Sequence, residues 1–282
     1  MTLMTRRAVL KGLVATGVGA ATGASAYGFL YARHRLTLTR QTLGVSGLPP
    51  ALGGLRVGLL TDIHRSRWVS HDDVGDAVAK VMAERPDLIV LGGDYVTRGD
   101  RQYVVPSADA LAPLSAPHGV FAVLGNHDDD VRMPAALAKN GVQVLKDART
   151  HLTINGEGLD LAGIRYWTRR PADIATVVGG AAGPVVLLAH DPRRLTEAAA
   201  LNIPLVLSGH THGGQVVLPG LGAIAALKFP VIAGIAKRQR TLMFVSRGVG
   251  TIYVQVRINC PPEVAVLTLQ PEGKTSTVAV RN

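Results

Sequence analysis

The chain has 282 residues, 47% hydrophobic and 18% charged, and a formal net charge of +10. Its apolar content supports a sizeable core, built as one large domain or two tightly joined layers. The positive surplus favours anionic partners such as phosphate esters or anionic lipid surfaces. Aromatic residues make up only 4% of the chain, which leaves few stacking platforms and counts against nucleic acid, and the single cysteine, Cys260, excludes an internal disulfide.

Four of the basic residues, Arg6, Arg7, Lys11 and Arg33, precede position 34, where no acid occurs. Thr5-Arg6-Arg7-Ala8-Val9-Leu10-Lys11 resembles a twin-arginine translocation signal, with Val9 where Phe is most usual. An uncharged Gly/Ala-rich run from Gly12 to Ala32 follows. The resemblance implies an exported protein that meets the twin-arginine translocase and acts in the periplasm or at the outer face of the cytoplasmic membrane. Residues 1–33 are therefore expected to be a signal or membrane anchor, and residues 34–282 the working domain. Ala24-Ser25-Ala26 is an A-x-A-like cleavage site. A stretch of about 20 apolar residues is equally long enough to stay in a bilayer as an anchor. Both fates are open.

From there the pattern alternates. Leu36 to Thr42 reads as a strand, and SGLPPALGG as a turn into the first buried strand, LRVGLLT. Asp72 to Arg85 has helical apolar spacing with acids in its first turn. Four more apolar runs, DLIVLGG, GVFAVLG, PVVLLA and PLVLSG, are short and flanked by Gly or Pro, as buried strands are. Helices are predicted near Pro106–Leu114, Pro134–Asn140, Pro171–Val178 and Arg194–Leu201. This alternation argues an α/β arrangement. Leu218–Arg240 is apolar with a basic end. It reads as a hairpin and loop, or as a flap beside the site whose Lys237, Arg238 and Arg240 touch anionic headgroups. After Thr241, three short strands (TLMFVS, GTIYVQVR, EVAVLTLQ) predict an antiparallel finish and a second sheet.

Each buried strand is followed by a short polar motif. In order these are Asp62-Ile63-His64, Gly93-Asp94, Gly125-Asn126-His127-Asp128, Ala189-His190 and Gly209-His210-Thr211-His212. If the strands lie side by side, their carboxyl ends bring three Asp, one Asn and five His to one edge. The strand period would place Asp62 with His64, and His210 with His212, on common faces able to hold a metal. Gly92 and Gly93 let the backbone at Asp94 approach closely enough for one carboxylate to bridge two ions. The inventory fits two divalent metals. Oxygen and nitrogen donors without thiolate suit Mn, with Fe or Zn next.

The five motifs together resemble the calcineurin-like metallophosphoesterases. The resemblance spans most of residues 55 to 215. It implies a four-layer α/β/β/α sandwich of two mixed sheets flanked by helices. It also implies that Asp62, His64 and His212 hold one metal, that Asn126, His190 and His210 hold the other, and that Asp94 bridges them. His127 would face the phosphate, oriented by Asp128. GHTHGGQV and the leader are further similar to an exported, membrane-associated phosphodiesterase branch. The glycine common soon after D-x-H is replaced here by Arg65-Ser66-Arg67-Trp68, which bears on substrate shape. Thr97 stands where purple acid phosphatases carry a tyrosine ligand, so no iron–tyrosinate colour is expected. The implied activity is hydrolysis of a phosphodiester or pyrophosphate, on lipid-linked or membrane-derived esters. A broad phosphomonoesterase, a nuclease and a non-catalytic scaffold are the alternatives.

Overall fold

The computed structural model describes residues 5–273. The outer ends of the two expected segments, residues 1–4 and 274–282, lie outside them. Among the described residues an α-helix, α1 (Arg6–Leu30), leads into twelve strands and five further α-helices. The strands are β1 (Thr37–Val45), β2 (Arg56–Leu60), β3 (Leu88–Leu91), β4 (Val120–Ala122), β5 (Gln143–Val144), β6 (Ala148–Ile154), β7 (Glu157–Ile164), β8 (Val185–Ala189), β9 (Leu205–Ser208), β10 (Gly234–Arg238), β11 (Thr241–Val245) and β12 (Glu263–Pro271). The helices are α2 (His71–Met82), α3 (Val104–Leu111), α4 (Arg132–Lys139), α5 (Pro171–Val178) and α6 (Leu195–Ala200).

They form two six-stranded mixed sheets, in the orders β1-β12-β2-β3-β4-β5 and β10-β11-β9-β8-β7-β6. In the first sheet β2, β3, β4 and β5 run parallel, and β12 is antiparallel to β2. In the second, β7, β8, β9 and β11 run parallel, with β6 and β10 antiparallel at the edges. The sheets face each other through Leu59, Val90, Val123, Leu161, Leu188, Leu207, Phe244 and Leu267. Helices α2, α3 and α4 cover the outer face of the first sheet through Val78, Leu111 and Leu137. Ile174 of α5 and Leu195 and Ala198 of α6 cover the second. Strands buried on both faces need apolar residues at every position, which is why β3 and β8 read as unbroken Leu/Ile/Val runs. The result is the α/β/β/α sandwich.

Two expectations about the last third are corrected. Gly250–Arg257 forms no strand; it is an irregular loop with Tyr253 in the left-handed region, at φ 58°. The final strand, β12, does not extend the second sheet but inserts between β1 and β2 of the first. Aromatic and β-branched composition favours a strand in both segments, but only β12 finds neighbours with open edges. α2 carries a capping box, in which the Ser70 hydroxyl accepts the Asp73 N–H and Asp73 accepts the Ser70 N–H. Most of α1 stands clear of the domain, with Leu13, Val14 and Val18 exposed. Only its last turn docks. There the Gly28 carbonyl accepts the Arg257 N–H at 3.3 Å, and Phe29 meets Trp68 edge to face.

Candidate metal centre

The parallel strands β2, β3 and β4 of one sheet and β8 and β9 of the other deliver their carboxyl ends to one edge of the sandwich, where open α/β sheets place ligands. Strand β2 ends at Leu60, so the pleat does not orient Asp62 and His64 as expected. Both instead take left-handed backbone, at φ 53° and 49°, as do Asp94 (58°), His210 (73°) and His212 (52°). A left-handed non-glycine residue costs roughly 1–2 kcal/mol, so five at one site must be held by surrounding bonds. The loops supply these bonds. Asp62 N–H donates to Gly93 O and His64 N–H to Asp94 O, at 2.9 and 3.0 Å. The Asp62 carboxylate accepts the His210 N–H at 3.0 Å and the Thr61 hydroxyl at 2.7 Å. Asp94 Oδ1 accepts the His127 N–H at 2.9 Å. Two glycines are needed for this close approach. A Cβ at Gly209 would come within 2.2 Å of Asp62 Oδ2, and one at Gly125 within 2.0 Å of Asp94 Oδ1.

Two groups of donor atoms result, Asp62–His64–His212 and Asp94–His190–His210, each with its atoms within 4.8 Å of one another. The groups adjoin. Asp94 Oδ2 lies 3.2 Å from His190 Nε2 and 3.6 Å from His64 Nε2, so this carboxylate faces both. His190 Nδ1 lies 2.7 Å from the Gly92 carbonyl. A carbonyl only accepts, so Nδ1 carries the proton and the Nε2 lone pair points into the site. Nε2 atoms of His64 and His212 face each other at 3.1 Å, and His210 Nδ1 faces His190 Nε2 at 3.2 Å. Each pair is at hydrogen-bond distance, one ring donating to the other, and both rings present nitrogens that a cation between them could take as ligands. Asn126 Oδ1 is a buried amide oxygen with no hydrogen-bond partner, which is the condition of a ligand atom. The donor set thus fits two divalent ions.

The electrostatics agree. Burial pushes the His64 imidazole down to about 4, and burial with the charge of His190 pushes His210 down to about 3. His212 is driven well below its ordinary value by burial and by His64. All three are therefore neutral, the form that binds metal. Burial opposes protonation of His190 too, but Asp94 and Asp62 outweigh it and lift His190 to about 10. A divalent cation taking Nε2 as a ligand would displace the second proton.

The expected link between Asp128 and His127 is corrected. The Asp128 carboxylate accepts the backbone N–H groups of Asp94, Tyr95 and Gly125, each at 2.8 Å. It clamps two ligand loops together rather than orienting an imidazole. His127 Nδ1 instead accepts the Arg98 N–H at 2.9 Å. An amide only donates, so the neutral ring carries its proton on Nε2. Burial lowers the pKa of His127, which keeps that tautomer neutral. The His127 ring stands 5.3 Å from the His64 ring.

Two supporting residues escaped sequence reading. Arg257 is fully buried, and burial lowers its pKa to about 10. Its guanidinium donates to the carbonyls of Cys260, Arg247, Gly248 and Gly250 at 2.6–3.1 Å, fixing the loop whose Gly250 N–H donates to Asp62 O. Gln215 donates through Nε2 to Ile252 O and Val254 O and accepts the Ile252 N–H. An arginine in a segment that reads as a strand carries no signal of this role, whereas Gln215 sits within GHTHGGQV and was within reach.

The basic end of Leu218–Arg240 does not flank the centre. β10 pairs antiparallel with β11, Arg238 opposite Thr241, so Lys237, Arg238 and Arg240 lie at the far end of the sheet. There Lys237 meets Glu272 at 2.7 Å and Arg240 meets Ser46. The apolar part of the stretch does reach the site: the Phe229 ring lies 5.1 Å from that of His210. Trp68 packs on α1 instead of lining the centre.

Relatives carry similar sequences. The chain is 33% identical to "Phosphodiesterase YaeI" of Escherichia coli over 76% of this chain and 82% of that protein. It is 29% identical to "Uncharacterized metallophosphoesterase YkuE" of Bacillus subtilis, over 96% of this chain and 99% of the other. It is 30% identical to the zebrafish "Transmembrane protein with metallophosphoesterase domain" over 86% of this chain, which spans 60% of that protein. The Calcineurin-like phosphoesterase family model matches residues 55–214, the segment that carries every donor of the two groups. With donors, fold and sequence in agreement, the chain belongs to the calcineurin-like phosphoesterase family, whose members are metal-dependent phosphoester hydrolases.

Proposed function

We propose that the protein is a dinuclear phosphodiesterase or pyrophosphatase, exported by the twin-arginine route and acting on lipid-linked or membrane-derived phosphate esters. Two bound divalent ions would supply Lewis acidity, polarising the phosphoryl group and acidifying water. Asp62, His64 and His212 would hold one, Asn126, His190 and His210 the other, and Asp94 faces both groups. His127 donates its Nε2–H to an oxygen of the phosphate or leaving group, in the tautomer set by the Arg98 N–H. Asp128 keeps the Asp94 and Gly125 loops in register. Mn²⁺ is the first choice of metal, with Fe or Zn next; loading before export would let cytoplasmic supply decide.

The observation that favours a diester is room around the centre. One groove of about 300 Å³ opens from His210 and His212. Another cavity, of about 370 Å³, lies beside Gly125 and Asp128 and is lined by Arg165, Tyr166 and Trp167. Two cavities leave space for two substituents on one phosphorus. Export and membrane placement draw support from the leader and from Leu10–His34, long and apolar enough to cross a membrane at a mean hydropathy of 1.3.

A substrate screen tests this reading. Manganese-loaded protein should hydrolyse bis-p-nitrophenyl phosphate faster than p-nitrophenyl phosphate, accept a nucleotide sugar, and leave DNA intact. Faster hydrolysis of the monoester, or nicking of DNA, would replace the proposal with a phosphomonoesterase or a nuclease.

A further inference from the structure

The groove beside the second ligand group has a floor and a wall of different chemistry. Its floor is His210 and His212, the two histidines of the GHTH motif. Its sides are Ala225, Ala226 and Phe229 from one segment and Ile252, Tyr253 and Val254 from another. Apart from Lys228 at the side, the walls away from the histidines offer almost no side-chain charge. The Phe229 ring stands perpendicular to that of His210 at 5.1 Å, so apolar surface begins where the ligand atoms end. The exposed surface of the same two segments is apolar as well. Leu227 is 69% exposed, Val254 57% and Tyr253 71%, and Leu221 and Ile224 are exposed in the same stretch as Leu227. An exposed apolar cluster of this kind marks a binding surface in a soluble domain.

The wall is built rather than incidental. Residues 252–254 have no strand partner to hold them. Gln215 secures them, accepting the Ile252 N–H at 2.9 Å and donating to the Ile252 and Val254 carbonyls. Gln215 is itself buried in a left-handed conformation, φ 58°, three residues after the ligand His212. Two residues beyond Val254, the chain packs on the last turn of α1. A Cβ at Gly28 would come within 2.4 Å of Val256 Cγ1. The exposed apolar helix therefore leaves the domain next to the wall of the groove.

We infer that this groove is an alkyl-chain site: it takes the hydrocarbon arm of a phosphoester whose phosphorus lies at the ligand groups, and receives that arm from the lipid leaflet that α1 enters. The inference deepens the proposed function and rests on it for the place of the phosphorus. Continuity decides the occupant. From the phosphate at His210 an apolar path opens along Phe229 into this groove. A sugar or a nucleoside would leave its hydroxyls unpaired against Phe229, Ile252 and Val254. The second cavity, beside Tyr166 and Arg165, is left for the polar arm.

Binding can be read without turnover. Monoethyl and monodecyl methylphosphonate are titrated calorimetrically into the metal-loaded full chain, below the micelle concentration of the decyl ester. The decyl ester should bind at least about tenfold more tightly, given the gain from each buried methylene, with a negative heat-capacity change. Val254→Glu and, independently, Ala225→Trp should each reduce that ratio severalfold, and either alone suffices should the other fail to fold. Equal affinities in the unaltered protein would overturn the inference, as would a decyl preference that survives both substitutions. Turnover of ethyl p-nitrophenyl phosphate by the same preparation separates the two ideas. A decyl preference without turnover retains the groove and removes the diesterase reading, while turnover without a chain-length preference does the reverse.

Discussion

At His127 the direction of a single hydrogen bond sets the chemistry. Arg98 N–H can only donate to Nδ1, so the neutral ring carries its proton on Nε2, the atom proposed to meet the substrate. His127→Ala should lower kcat by roughly two to four orders of magnitude with both metals still bound. Asp128→Asn should behave differently, because an amide has one oxygen to accept the four N–H groups, of Asp94, Tyr95, Val96 and Gly125, that the Asp128 carboxylate holds. Metal affinity should fall with it, read by equilibrium dialysis against a chelator. Equal metal content in the two variants would return Asp128 to a role on the imidazole. The protonation pattern has its own consequence. At pH 8 His64, His210 and His212 are already neutral, while His190, near 10, still holds a proton. Metal loading should therefore release about one proton from His190, and affinity should weaken as pH falls. Calorimetry in buffers of different ionisation enthalpy counts that proton.

Among the elements, the strands that build the site were legible because burial on both faces forces continuous aliphatic runs. Helix α5 was legible to the residue, since Pro171 starts it and Gly179 ends it. The left-handed ligand loops were not. No side-chain period encodes φ at Asp62 or His212, and the glycines that enable the packing, Gly125 and Gly209, act by what they lack. Gly250–Arg257 misled for a related reason: its β-prone composition is used to line a groove and to bury Arg257. That arginine carries the next prediction. Lysine offers a compact charge in place of a fork reaching four carbonyls. Arg257→Lys should cost about 3 kcal/mol or more through unmet carbonyls and weaken metal at Asp62–His64–His212. Arg238→Lys, on an exposed strand end, should change stability by less than about 0.5 kcal/mol. Denaturant midpoints with unchanged m-values measure both.

Across the whole molecule, a sandwich built by two sheets gathers five strand ends at one edge, and an apolar helix joins the domain near that edge. The sequence carried the motifs and the paired arginines; the placing of α1 beside residues 256–258 emerged only in three dimensions, because it depends on Gly28 meeting a loop more than two hundred residues away. If the leader directs folded export, replacing Arg6 and Arg7 together by lysine should hold the protein in the cytoplasm with its metal centre formed. Fractionation with metal analysis reads this, and undiminished export would contradict it. The two adjoining donor groups are proposed to serve one reaction. Metal-stripped protein titrated with Mn²⁺, while bis-p-nitrophenyl phosphate hydrolysis is followed, is the direct measurement. Activity should rise to a plateau at two equivalents per chain; a plateau at one equivalent, or no hydrolysis at two, would contradict a dinuclear phosphodiesterase.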